Sequence, residues 1–289
     1  ESPFAEPPIL GMGGDFFTLR AIKLGIDGAL GSRGAALFDD YSDAPGQRGL
    51  ITREPSEIES IARQAITRGF QVCVHAIGDR GNAEALTALT AALAGAPKGD
   101  YRFRIEHAQV LRPVDIPRFK AAGIIPSMQP THCTSDMRWA EARLGPKRIA
   151  GAYAWRKLLA TGVPLPAGSD FPVESENPFL GLYAAVTRQD RSGFPPGGWR
   201  PDERMTIGEA LKAFTLDAAY AAFEEDRAGS IEAGKRADIL VLRSNPLTMP
   251  VTEILESKPA AVLVAGRTVR TSADLETRLP LDAAPGPAR

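Results

Sequence analysis

The chain has 289 residues, 44% of them hydrophobic and 24% charged, the balance of a globular protein long enough to bury one large core or a domain with a satellite. Its 34 basic and 35 acidic side chains leave a net charge of −1, which speaks against nucleic-acid binding through phosphate contacts, and no run of about 18 apolar residues offers a membrane span. Cys73 and Cys133 are too few for a disulfide framework. The opening ESPFAEPPILGMGGD has no signal pattern, so the cytoplasm is the default expectation.

In chain order, LRAIKLGI (19–26) reads as a strand. PSEIESIARQAITR (55–68) reads as a helix with Pro55 at its start and Gly69 just past its end. FQVCVHA (70–76) is a second strand, followed by an Ala- and Leu-rich helix over 82–94 with Asn82 as N-cap. YRFRIEHA (101–108) is a third strand, 113–122 a helix closed by Gly123, and 124–129 a short strand. Residues 148–161 read as a helix closed by Gly162, 163–167 as a strand despite two prolines, and 178–188 and 206–223 as helices. Such alternation predicts βαβ units and a parallel sheet whose strands end on one side. Neither GxGxxG after the first strand nor GxxxxGK[ST] occurs, so a barrel-type sheet fits better than a dinucleotide fold. After Asp226, the stretches 229–242 and 260–270 are β-rich and predict a small β element, and the tail LDAAPGPAR reads as disordered.

Two of the three histidines fall at or near the C-terminal ends of strands, His75 in FQVCVHA and His107 in YRFRIEHA. Asp170 falls likewise in VPLPAGSD, and the intervals match one and two strand–helix repeats. The C-terminal rim is where parallel barrels place reactive groups. Two imidazoles and a carboxylate are natural ligands for a borderline cation such as Zn²⁺, which would acidify a bound water. Asp170 is the candidate to take that proton and return it to the leaving group; the other reading of Asp170 is a cap for the next helix. Lys23, inside a strand pattern, is either an exposed edge residue or a lysine converted by CO₂ to a carbamate that bridges two metals. His132 and Asp136, in THCTSD, are placed on a rim loop within reach of substrate, or are ordinary loop polarity. Arg33 is a candidate anchor for a substrate anion, or solvated. Cys73 shares the parity of His75 and reads as a small core residue; Cys133 is a weaker candidate ligand, and Trp139 and Trp155 read as packing.

Six segments together, IKLGIDGALGSRGAAL, VHAIGDRGN, IEHAQV, PSMQPTHCTSDMRWAEARLG, GSDFPVESENPFLGLYAAVTR and GSIEAGKRADILVL, resemble the amidohydrolase superfamily, in particular the YtcJ-like branch of amidohydrolase family 3 that includes N-substituted formamide deformylases. The resemblance implies an α/β fold with a (β/α)₈ barrel of the metal-dependent hydrolase kind, incomplete in this chain, and part of a small β-sandwich. The expected units are 1–225 for the barrel portion, 226–275 for the sandwich half and 276–289 for a flexible tail. It implies Lys23 as the carboxylated lysine ligand, His75 and His107 as histidine ligands, and Asp170 as the last-strand aspartate. Members also carry an HxH pair on the first barrel strand; none exists here, which implies the C-terminal portion of a longer protein.

The expected function is metal-dependent hydrolysis of C–N bonds in amides or N-formyl compounds. One or two divalent ions, zinc first, would serve as cofactor, with Asp170 and His132 catalytic and Arg33, His132 and Asp136 contacting substrate. The alternative is a truncated barrel that binds a small molecule or partner without hydrolysing it. A small-molecule substrate and a second copy of the chain are the only expected partners, with no nucleic acid and no membrane.

Overall fold

Helix 55–68 forms where the sequence places it. Pro55 sits in its first turn, Ile58, Ala62 and Ala65 make a buried stripe, and Gly69 closes it with φ 78°, a left-handed turn that suits glycine. In the computed structural model, which describes residues 4–272, this helix links the first two strands of a four-stranded parallel sheet. The strands are β1 (Ile9–Gly11), β2 (Phe17–Leu19), β3 (Ala21–Gly25), β4 (Gln71–Ala76), β5 (Arg104–His107), β6 (Ile125–Ser127), β7 (Ile239–Val241), β8 (Ala261–Val264) and β9 (Arg267–Thr271). The parallel sheet has the order β3-β4-β5-β6, β7 to β9 form an antiparallel sheet, and β1 and β2 pair as a hairpin. The chain is therefore α/β. The predicted tail lies outside the described residues, and among those residues no helix is long and apolar enough to cross a membrane.

Register decides what faces what. Lys23 pairs with Cys73, Gly25 with His75, His75 with Glu106 and Glu106 with Ser127. Alternation puts Lys23, Cys73, His75, Glu106 and Ser127 on one face. The other face carries Val72, Val74 and Ile105, which are fully buried with Ile58, Ala62 and Leu86 of the covering helices.

Several boundaries differ from the sequence reading. The helix expected from Asn82 begins at Asp79, after Gly78. Asn82 is buried inside it, and its amide donates to the carbonyls of Ala76, Gly78 and Val110, tying the exits of β4 and β5 together. THCTSD is not a rim loop but the opening of a helix over Pro130–Arg148, with Pro130 in its first turn. That helix passes through a non-helical Gly145 into a 3-10 turn at Ile149–Gly151, so only Trp155–Ala160 remains of the helix expected over 148–161. Residues 163–167 form no strand: Pro164 and Pro166 have no N–H to donate, and the segment makes one parallel bridge, Met128 to Ala167, beside β6. The helix expected over 206–223 breaks at Thr215 into Ile207–Phe214 and Leu216–Ala221, which lets Asp217 accept from Leu165 N and pair with Lys212.

Ile207–Phe214 starts in a capping box, Thr206 with Glu209, and Glu209 also holds Arg156 through two contacts of 2.7 Å. The Arg156 guanidinium draws the Glu209 carboxyl from 4.5 down to about 2. A depressed folded pKa means the stabilisation is present above the unfolded value and disappears as pH falls from about 4.5 to about 2. Glu209→Gln should cost about 1 kcal/mol at pH 7 and flatten the acid side of a melting-temperature profile over that window; an unchanged profile would contradict the pairing.

Candidate metal centre

His75 is the penultimate residue of β4 and His107 the last of β5. His107 has φ 76° and Ala108 φ 43°, so the backbone turns sharply as β5 ends. The His107 Nδ1 lies 2.7 Å from Gln129 Oε1. A carbonyl oxygen only accepts, so Nδ1 carries the proton and the Nε2 lone pair stays open. The His75 and His107 rings meet edge to face with centroids 4.6 Å apart, and His132 stacks beyond His107 at 5.6 Å. His132 comes in on the opening turn of the helix after β6, and its Nε2 lies 3.9 Å from Asp170 Oδ2. Ligand atoms of His107, His132 and Asp170 all lie within 4.8 Å of one another. All three histidines of the chain thus share one patch.

Asp170 sits in a turn with φ 57°, and its carbonyl accepts from Val173. It caps no helix: the helix Pro178–Thr187 is capped by the Asn177 side chain. Lys23 lies on the edge strand β3, exposed, on the same face as His75, and its charge reaches both His75 and His107. That position fits the reading of Lys23 as an exposed edge residue.

Burial pushes His107 from 6.5 down to about 3, helped by the neighbouring His75 charge, and burial followed by Lys23 lowers His75. Both imidazoles are therefore neutral near pH 7, the form that ligates metal. His132 Nε2 is buried without a hydrogen-bond partner. An orphaned ring nitrogen is costly unless a bound group pairs with it, and the imidazoles and carboxylate gathered around it are a donor set that fits a borderline divalent cation.

Other expected residues fall elsewhere. Asp136, one turn beyond His132, accepts from Tyr153 Oη and from Gln109 Nε2 at 2.8 Å, and burial raises its pKa. Arg33 donates to Asp43 at 2.9 and 3.1 Å, and Asp43 is also held by Arg143. Arg143 lies eleven residues beyond His132, on the order of 16 Å along the helix, so the geometry gives Arg33 to a loop clamp rather than to a substrate anion. Burial pushes the Cys73 and Cys133 thiols up to about 12, so neither offers a thiolate. Trp155 is buried beneath Arg188, and Trp139 lies against Gly31.

Two residues of the site escaped the sequence reading. Gln129 orients His107, and Asp27 lies 3.5 Å from His75 through Oδ1. Both stand at or just past the end of a strand pattern, in IIPSMQ and AIKLGID, the same positional signal that flagged the histidines.

A parallel sheet with imidazoles and a carboxylate gathered past its strand ends makes a candidate metal centre on an α/β frame. The comparisons agree: the chain matches the amidohydrolase family over residues 6–270 and belongs to it. It is 37% identical to the protein LONG AFTER FAR-RED 3 of Arabidopsis thaliana, over 80% of this chain and 40% of that one. It is 32% identical to the putative amidohydrolase YtcJ of Bacillus subtilis, over 87% and 47%, and 29% identical to the N-substituted formamide deformylase of Arthrobacter pascens, over 73% and 38%. The chain thus spans less than half the length of these relatives. Among solved structures it resembles a metal-dependent hydrolase from Pyrococcus furiosus, with 31% identity and a TM-score of 0.71 over 80% of this chain and 46% of that one. The His/His/Asp cluster suggests a divalent metal.

Proposed function

We propose that the protein hydrolyses C–N bonds of amides or N-formyl compounds at this centre. His75, His107 and Asp170 would hold a divalent cation, zinc first, with carboxylated Lys23 as the anionic fourth ligand. Residues 1–225 would be part of a (β/α)₈ barrel, with Asp170 following the segment 163–167 that bridges to Met128, and residues 226–275 part of a small sandwich. The observation that carries the reading is the convergence of three imidazoles and one carboxylate beyond the ends of parallel strands.

When bound, such a cation supplies Lewis acidity: it polarises a carbonyl and acidifies water. The chain's own groups do the rest. Asp170 Oδ2 takes a proton from the attacking water and delivers it to the departing nitrogen as the C–N bond breaks. His132 Nε2, buried and unpartnered, would carry the ring proton and donate to the carbonyl oxygen as charge grows on it. Asp136, shared between Tyr153 and Gln109, braces the helix that carries His132.

Metal analysis joined to one variant tests this. Protein purified without chelator should hold about one to two divalent ions, and His132→Gln should keep them while kcat falls about 10²-fold. Loss of the ions in His132→Gln would move that residue into the ligand set, and absence of tightly bound metal in the unaltered protein would overturn the reading.

A further inference from the structure

Asp27 stands just past the end of β3, and its side chain is fully buried. A carboxylate taken so far from water needs partners, and this one has a built set. Its Oδ1 accepts from Ile77 N at 3.0 Å, and its Oδ2 accepts from Gly78 N at 2.8 Å and Ala36 N at 2.9 Å. The nest admits no extra atoms: a Cβ on Gly81 would lie 2.5 Å from Oδ2, and a Cβ on Gly78 would lie 1.9 Å from the Ala36 carbonyl oxygen. Three N–H groups leave one carboxylate lone-pair direction unused, on Oδ1. His75 Nε2, a buried ring nitrogen, lies 3.5 Å from it, with the Gly28 backbone also close to the ring.

We propose that Asp27 is the positioning residue for His75. Its carboxylate holds the imidazole as the Nε2–H tautomer, with that N–H directed at Oδ1, and so leaves Nδ1 as the lone pair that faces the cluster. The same carboxylate binds the backbone of Ile77 and Gly78, so the strand exit and the ring are fixed to one anchor. This complements Gln129, which holds His107 through the opposite ring nitrogen. A carboxylate behind a ligating imidazole sets its tautomer and basicity, and losing one costs about 10–100-fold in metal affinity. The value of this arrangement for catalysis rests on the proposed metal centre; the tautomer itself does not.

The test is long-range proton–nitrogen NMR on metal-free protein labelled with ¹⁵N-histidine, at a pH near 8. Only three histidines occur, and His107→Gln and His132→Gln assign them by elimination. His75 should give the fixed Nε2–H pattern. Asp27→Asn should turn it into a tautomer average, and in the metal-loaded protein weaken affinity about 10–100-fold. Asp79→Asn is the control, since Asp79 braces the same loop through Phe38 N but is not paired with an imidazole. An Nδ1–H or averaged His75 in the unaltered protein overturns the proposal even if Asp27→Asn fails to fold. So does an unchanged pattern in folded Asp27→Asn, or an equal change in Asp79→Asn. A fixed Nε2–H form in protein that binds no metal would keep the positioning role and sink only the metal reading.

Discussion

Asp170→Asn lowers turnover by about 10² to 10⁴-fold while melting temperature and metal content stay close to those of the unaltered protein. The expectation follows from how little the fold asks of this carboxylate. Its side chain is 38% exposed, and His132 Nε2 lies 3.9 Å from its Oδ2. Asparagine keeps the shape and one carbonyl oxygen for a cation, and loses the carboxylate's charge and its proton transfer. The left-handed backbone at Asp170, φ 57°, suits asparagine as well as aspartate. Steady-state kinetics joined to metal analysis and thermal melting separates the parts. Near-normal kcat in Asp170→Asn would remove Asp170 from the proton path. Parallel loss of metal and fold would make it structural.

Arg188→Met is the substitution expected to damage stability most. Arg188 is wholly buried at the C-terminal end of the helix Pro178–Thr187. Its Nε donates to the Trp199 carbonyl at 2.7 Å and its Nη1 to the Tyr153 carbonyl at 3.1 Å. The guanidinium also lies 4.4 Å over the Trp155 ring. Methionine matches the stem but leaves the buried Trp199 carbonyl unpaired, at about 1–3 kcal/mol, takes one of two donors from the Tyr153 carbonyl, which also accepts from Trp155 N at 3.0 Å, and removes the cation–π contact. Relief from burying a charge offsets part of this, since burial opposes the charged form, as the lowered Arg188 pKa records. A net loss of about 2–4 kcal/mol follows, or a fall in Tm on the order of 5–15 °C. Arg188→Lys should recover little, because an ammonium cannot span both carbonyls or stack on the indole. A Tm within about 2 °C of the unaltered protein would show that the loop 189–200 is held by other contacts.

The legible parts of this fold are those where local chemistry and tertiary packing agree. Pro55 and Gly69 bracket their helix, and Gly123 ends its own, because proline suits the first helical turn and glycine the left-handed residue after the last. His75 and His107 could be placed at strand ends because chain direction fixes where a parallel strand delivers its last side chains, but register pairs His107 with Ala76, on the other parity from His75, and the left-handed backbone at His107 was not legible. The opening of the Pro130–Arg148 helix was not legible. THCTSD has no apolar period and is rich in residues that favour turns, and only packing of Cys133, Met137 and Ala140 against the core makes it helical. That is why His132, read as a loop residue, turns out to stand beside His107 and Asp170. Arg188 escaped for the same reason: a charged side chain at a helix end reads as surface, and its burial depends on a carbonyl eleven residues on and another from a distant turn.

Zinc-edge anomalous diffraction from crystals of the zinc-loaded protein tests the shared centre most directly. The account predicts a peak about 2.0–2.2 Å from a ring nitrogen of His107 and a carboxylate oxygen of Asp170, with His75 at the same centre. A peak held by other residues, or His107 and Asp170 turned away from a common point in zinc-saturated crystals, would contradict it.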